Sequence, residues 1–320
     1  MRPAQAPKAA KRLLVLALSP KDEAMLAAFP LYRLLTALDV AHLGLYSSKS
    51  LTYVRERLAR LAGNKDHQDE GYPLYRFGMP SVPGQGNQER IYALSATGRK
   101  IVESMGLPVS WHVKASKMRT FSHSHLLHSL TLNRSVIAFH AWSRTKPNIA
   151  VESRLCYDLA KHPPVLSLPM HGKTVKVAVI PDALLLMTNV RANQRLVILW
   201  EVDHNTESLP RLRTHIAARV AYVQSAHFKN IYGTIPFRIA YTTQGQTPSA
   251  SQARLQSLCT TTSEVLASLK KSEYARYFRF TTINFQTLYE DAQILFEGSV
   301  WRQPNESATV SLLTDAKPTP

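Results

Sequence analysis

The stretch VIPDALLLM, Val179 to Met187, and the run LVILWEVDHNT that follows it, Leu196 to Thr206, decide how the second half of this chain folds. Both are apolar, and both carry acids: Asp182 behind Pro181 in the first, Glu201 and Asp203 in the second. QRLVILWEVD is almost continuously apolar, the pattern of a strand covered on both faces. KTVKVAVIPDALLLM reads as a strand pair, or as one strand bent around Pro181. Working outward, IAVESRLCYDL reads as an earlier strand, PFRIAYTT as a later buried one, and YFRFTTINF as a last strand. Helices are predicted over SHSHLLHSLTLNRSVIAFHAWSR, ESLPRLRTHIAARVAYVQS and TPSASQARLQSLCTTTSEVLASL. Strands alternating with helices make an α/β layer.

If the two acid-bearing strands are neighbours, Asp182 and Glu201 converge at one sheet position. Asp203 lies on the same face of its strand as Glu201. Hard oxygen ligands at one point suit Mg²⁺ or Mn²⁺, and such an ion lowers the pKa of a bound water and polarises a phosphodiester. Asp182, Glu201 and Asp203 are therefore the expected metal ligands. In the usual nuclease pattern a lysine stands two residues after the second acid, and here that position is Asp203. A carboxylate cannot replace a positive charge aimed at the transition state. Arg211, His215 and Arg219 recur at i, i+4, i+8 on the next helix, so His215 and Arg219 are candidates to supply that charge. The plain alternative is that Asp182 is a turn residue and that Glu201 and Asp203 pair at a strand end. The string His123, His125, His128 has the look of a zinc set. Residues at i, i+2 do not share a helix face, so packing or hydrogen bonding is the better expectation for His128.

The first third has a different grammar. LSPKDEAMLAAF opens a helix, with Ser19 as cap, Pro20 in the first turn and Asp22 and Glu23 at the positive end of the dipole. Pro30 is expected to kink or split it. Thr36 caps a short helix, ALDVAHLG, closed by Gly44. In the third helix, LTYVRERLARLAG, Leu51, Val54, Leu58 and Leu61 form the core stripe. Lys49, Ser50, Tyr53, Arg57 and Arg60 lie elsewhere on it and are left to meet a groove. Two strands follow, YPLYRF with Arg76 and ERIYALS with Arg90, joined by the Gly/Pro-rich tip GMPSVPGQGNQ. Three helices and a two-stranded wing make a winged helix-turn-helix, with Arg76 and Arg90 on the wing. The same elements also suit protein contacts or homodimerisation, with the arginines as a solvated face.

Composition agrees with a polyanionic partner. The 320 residues carry a formal net charge of +17, which favours nucleic acid. The excess is spread along the chain: 17 Lys and Arg against 9 Asp and Glu up to Lys117, and 22 against 13 beyond it. Double-stranded DNA is the expected partner. Two cysteines, Cys156 and Cys259, form no CxxC pair, so a reducing, cytoplasmic setting is expected. KAAKRLLVLALSP imitates a signal peptide, but its apolar run is short and lacks an A-x-A site. No stretch approaches the roughly 18–20 apolar residues of a membrane span.

The ordered set LSPKDEAMLAAF, RLLTALDVAHL, RERLARL, YALSATGRKIV, HSLTLNRSVIAF, IPDALLLM, LWEVDHNTESLPRL and LFEGSVWR resembles the replication-relaxation family of plasmids and mobile elements, from about Leu18 to Arg302. The resemblance implies a role in plasmid replication and in DNA relaxation or mobilisation. It also implies a PD-(D/E)XK nuclease-like second domain. Pro181-Asp182 then matches the first acid motif, and Glu201 and Asp203 match the Glu-x-Asp that this family tends to carry instead of Glu-x-Lys. A lysine often lies in the family's following helix; here that helix offers His215 or Arg219. The expected organisation is a flexible 1–18, a winged helix over 19–118, a nuclease-like α/β domain over 119–303, and a disordered tail over 304–320. Function is expected to be DNA binding, as a metal-dependent nickase or as a regulator whose nuclease-like domain is silent.

Overall fold

The computed structural model describes residues 18–45, 51–63, 71–78, 89–109, 121–170, 173–205, 207–233 and 235–313. The chain divides into two compact units between Leu126 and Leu127. No described helix is long and apolar enough to cross a membrane.

In the first unit, α1 (Pro20–Tyr32) starts at Ser19, whose hydroxyl accepts from the Asp22 amide while Asp22 accepts from the Ser19 amide. This reciprocal capping satisfies two orphan donors at once. Thr36 and Asp39 repeat it for α2 (Ala37–His42). Pro30 sits inside α1, which stays continuous to Tyr32 and ends at Arg33, a non-glycine residue at φ 61°. The chain then forms β1 (Leu34–Thr36), a strand absent from the sequence reading. Two leucines after a helix continue a helical pattern as well as they begin a strand, and nothing in the sequence marks the turn at Arg33.

Helix α3 (Leu51–Ala62) buries Val54, Leu58, Leu61 and Ala62. Gly63 closes it at φ 65°, where a Cβ would run into the Tyr72 ring at 2.4 Å. Strands β2 (Leu74–Gly78) and β3 (Arg90–Leu94) pair antiparallel, and β1 adds to the other side of β3. The expected two-stranded ribbon is thus a three-stranded sheet. Helix α4 (Ala96–Ser104) follows, capped by Ser95. Residues 1–17, the tip at 79–88, and Lys49 and Ser50 lie outside the described residues.

Helix α5 (His123–Ser143) crosses the division between the units. The second unit is built on a seven-stranded sheet of order β12-β11-β10-β9-β8-β7-β4. Its strands are β4 (Ile149–Leu155), β7 (Ala183–Asn189), β8 (Gln194–Asp203), β9 (Phe237–Thr243), β10 (Phe278–Thr282), β11 (Trp301–Arg302) and β12 (Thr309–Val310). β8, β9 and β10 run parallel, β7 and β11 flank them antiparallel, and the edge strands β4 and β12 are in turn antiparallel to β7 and β11. The short helix α6 (Cys156–Leu159) follows β4. Helix α7 (Leu209–Gln224) and the short α8 (Ala226–Tyr232) connect β8 to β9, and α9 (Pro248–Ser268) connects β9 to β10.

Period two decides the rest. Val197 and Leu199 of β8, with Ile239 and Tyr241 of β9, form one core with Leu212, Ile216, Leu255 and Leu258 of α7 and α9. On the opposite face Trp200 meets Phe296 of α10 (Ala292–Glu297) and Trp301, while Phe296 meets Phe139 and Trp142 of α5. The unit is therefore three layers, helix–sheet–helix.

Two expectations are corrected. The segment around Pro181 is neither a bent strand nor a pair. β6 (Lys173–Ala178) pairs instead with β5 (Val165–Met170) in a separate hairpin, which docks Leu168 and Val179 against the α7 core. Alternation in KTVKVA fits any half-exposed ribbon, so periodicity could not assign its partner. Nor does the folded chain stop at 303, where the tail was expected to follow. Thr309–Val310 pairs with Trp301–Arg302, and Leu312 is fully buried. Polar NESA reads as loop, yet the two residues after it, Thr309 and Val310, suffice to add a strand to the sheet edge. Residues 314–320 lie outside the described residues.

Candidate functional site

The two acid-bearing strands are neighbours. Ala183 stands opposite Trp200 in the β7–β8 register, which puts Asp182 opposite Glu201. Asp182 Oδ2 accepts from the Val202 amide at 2.8 Å, and Oδ1 lies 3.3 Å from His128 Nε2 on α5. Glu201 and Asp203, two residues apart, share the face covered by α7 and α9.

The basic helix reaches them. Arg219 is buried; its Nε donates to Glu201 Oε1 and its Nη2 to the Ile180 carbonyl at 2.9 Å. Asp203 is held by a residue that sequence reasoning missed. Arg254 of α9 donates from Nε to Oδ2 at 2.5 Å and from Nη2 to Oδ1 at 3.2 Å. The signal was present in a weak form: Arg254 is the single basic residue in the α9 sequence. His215 and Arg211 turn to Glu207 instead, at 2.8 and 3.4 Å. Of the two cations expected at the acids, Arg219 is there and His215 is not in direct contact with them.

Burial pushes the Glu201 carboxyl up, and the nearby Asp182 charge adds to this against the offsetting pull of Arg219. Burial opposes protonation of His128. Its hydrogen bond to Asp182, with the charges of Asp182, Glu201 and Asp203, outweighs burial and raises its proton affinity above the ordinary histidine value. Tyr241 stands beside Glu201 in the β8–β9 register. Burial and the Glu201 charge push its phenol well above the ordinary range, and burial takes Tyr222 up to about 12.

A divalent ion needs carboxylate oxygens open toward one point. Here the Glu201 and Asp203 carboxylates face guanidinium groups, and Asp182 is shared between an amide and an imidazole. Among the described residues no group of three or more His, Cys, Asp and Glu is placed to hold a metal. In this arrangement the acids do not fit Mg²⁺ or Mn²⁺. What they form is a buried charge network in which each acid meets its own cation or donor.

The first unit holds a second cluster. Arg76 stands opposite Tyr92 in the β2–β3 register, Arg90 begins β3, and the positive charges of Arg76, Arg90 and Arg55 all act on the Tyr92 phenol. Burial nevertheless dominates there and raises it. Arg76 and Arg90 thus share a face of the ribbon with Tyr92, and Arg55 of α3, whose charge reaches the same phenol, was not singled out by the helix pattern. Tyr53 is 45 % exposed and Arg60 is exposed. Arg57 points elsewhere: its Nε donates to Asp22 Oδ1 at 2.9 Å and its Nη2 to Oδ2. Burial would raise the Asp22 carboxyl, but the bonds from Arg57 and Ser19 hold it below the usual carboxylate range.

No curated protein and no solved structure gives a significant match to the chain. A family model described as Replication-relaxation matches residues 28–237, which span most of the first unit and the acid-bearing strands of the second. The chain belongs to the replication-relaxation family.

Proposed function

We propose that this chain is a DNA-binding protein of plasmid or mobile-element replication, relaxation or mobilisation. The first unit acts as a winged helix-turn-helix on duplex DNA, with α3 toward the major groove and the β2–β3 ribbon as wing. One observation carries this reading: Arg76 and Arg90 share a face of the β2–β3 ribbon with Tyr92, and the charge of Arg55 on α3 reaches the same phenol. Cations placed in this way match a phosphate backbone better than a scattered solvated face does. Exposed Tyr53 and Arg60 complete the surface. The test is duplex binding followed by fluorescence anisotropy across a salt series. If each arginine meets one phosphate, Arg55→Ala/Arg76→Ala/Arg90→Ala lowers the slope of log affinity against log salt by about 2.7. An unchanged slope and affinity would remove the first unit from the interface.

A second reading rests on the register that puts Asp182 opposite Glu201. In it the second unit is a PD-(D/E)XK nuclease-like domain that nicks DNA with Mg²⁺ or Mn²⁺. It requires Arg219 and Arg254 to leave the carboxylates they hold. Supercoiled plasmid incubated with either ion is the assay. Absence of nicking, or equal nicking by Asp182→Ala, leaves the regulator with a silent second unit as the function.

A further inference from the structure

The second unit has a cavity of about 680 Å³ that the acid network does not touch. It opens at the start of β9, where Phe237 stands beside Val197, whereas the acids lie at the far end, where Thr243 stands beside Asp203. Six residues of strand separate the two, about 20 Å. The lining is cationic: Lys229, Arg238, Lys271 and Arg276 contribute, and no acid is among the described lining residues. It is also aromatic. Phe237 and Tyr277 stack with centroids 4.5 Å apart, and Tyr274 lies 5.7 Å from Tyr277. The Arg276 guanidinium sits 4.8 Å over the Tyr277 ring.

These rings are not simply core. Phe237, Tyr274 and Tyr277 are each only half-buried, and Lys229 and Arg276 are exposed. At Gly233, on the same wall, a Cβ would meet nothing within 4 Å, so the backbone there is open to close approach. Half-open aromatic faces flanked by cations suit a ligand that has both a π-face and a phosphate. The volume is that of a small-molecule site. A base pair inside a duplex hides its faces by stacking, so it cannot use such a platform.

We propose that this cavity binds a nucleotide unit of single-stranded DNA, with the base on Tyr274 and the phosphates at Lys229 and Lys271. The inference rests on the reading of the chain as a DNA protein, but on neither the arginine cluster of the first unit nor the acids. The full-length protein is titrated with a 5′-labelled oligothymidylate, with a labelled duplex, and with thymidine monophosphate as competitor. Lys229→Ala/Lys271→Ala is expected to lower the single-strand salt slope by about 1.4, since each phosphate contact adds about 0.7 for a single strand. Tyr274→Ala is expected to weaken single-strand binding about tenfold, while Tyr274→Phe retains it. Duplex binding stays as in wild type in all three variants. Single-strand binding that the lysine and Tyr274→Ala variants leave intact overturns the site. Equal loss of duplex affinity overturns it too, because the lysines would then act as general surface charge. If the monophosphate competes as well as the oligonucleotide, unit for unit, the ligand is a free nucleotide and the strand assignment falls. Duplex binding without single-strand binding sinks this proposal alone; the reverse sinks the winged-helix reading alone.

Discussion

Asp22 shows how one side chain changes the meaning of another. It was expected to favour the helix dipole, and it does so while also closing the Ser19 cap and receiving Arg57. Arg57 had the helical position of a DNA contact. A carboxylate buried in α1 claims it, because an unpaired buried charge costs more than a solvated one. Arg57→Ala should therefore lower stability by about 1–3 kcal/mol, the desolvation penalty left on Asp22. Arg60→Ala should unfold like wild type and lose duplex affinity. Urea unfolding of both variants separates the roles, and an Arg57→Ala protein as stable as wild type would refute the assignment. His128 gives the pH counterpart. Its proton affinity is raised in the folded state, so its pairing with Asp182 adds stability that is fully present below the unfolded value of about 6.5 and is lost as pH rises through the folded value. Asp182→Asn should flatten that part of the stability profile and bring the His128 titration, followed by NMR, back down. A titration unmoved by Asp182→Asn would contradict the contact.

At the scale of elements, what the sequence made legible follows from length and pattern. The continuous apolar run of β8 was bounded correctly at Gln194 and Asp203, because its β-branched and aromatic residues favour strand, and all eight residues from Leu196 onward are buried. The caps at Ser19 and Thr36 were legible because Ser or Thr before an apolar run has a specific chemistry. β5 and β12 were missed although their partners β6 and β11 lie close by in sequence, and β1 was missed because its partner β3 lies far along the chain. The same limit hid Arg254: its helix was foreseen, but its meeting with Asp203 depends on how α9 returns across the sheet. The β11–β12 edge is the correction with the clearest energetic consequence. Leu312 is fully buried just beyond a two-residue strand, so Leu312→Ala should cost about 2–5 kcal/mol. A urea midpoint shifted at unchanged m-value measures it. A midpoint equal to wild type would restore the disordered tail.

For the whole molecule, charge rather than shape sets the expectation. The excess of +17 is carried by both halves of the sequence, whereas the arginines whose charges reach Tyr92 belong to the first unit alone. Non-specific affinity follows the total of neutralised phosphates, and specificity follows the few groups that hold register against the bases. Removing Arg55, Arg76 and Arg90 together should therefore not abolish duplex binding. At low salt a residual, salt-sensitive affinity should persist from the remaining positive surface. Preference for a duplex selected from a random pool over an unrelated duplex should collapse toward unity, because the ribbon and α3 lose the contacts that position them. Competition between the two duplexes at several salt concentrations reads both quantities in one experiment. Retained preference with reduced affinity would mean that the arginines only add charge, and complete loss at low salt would mean that the second unit's cations do not meet duplex DNA at all.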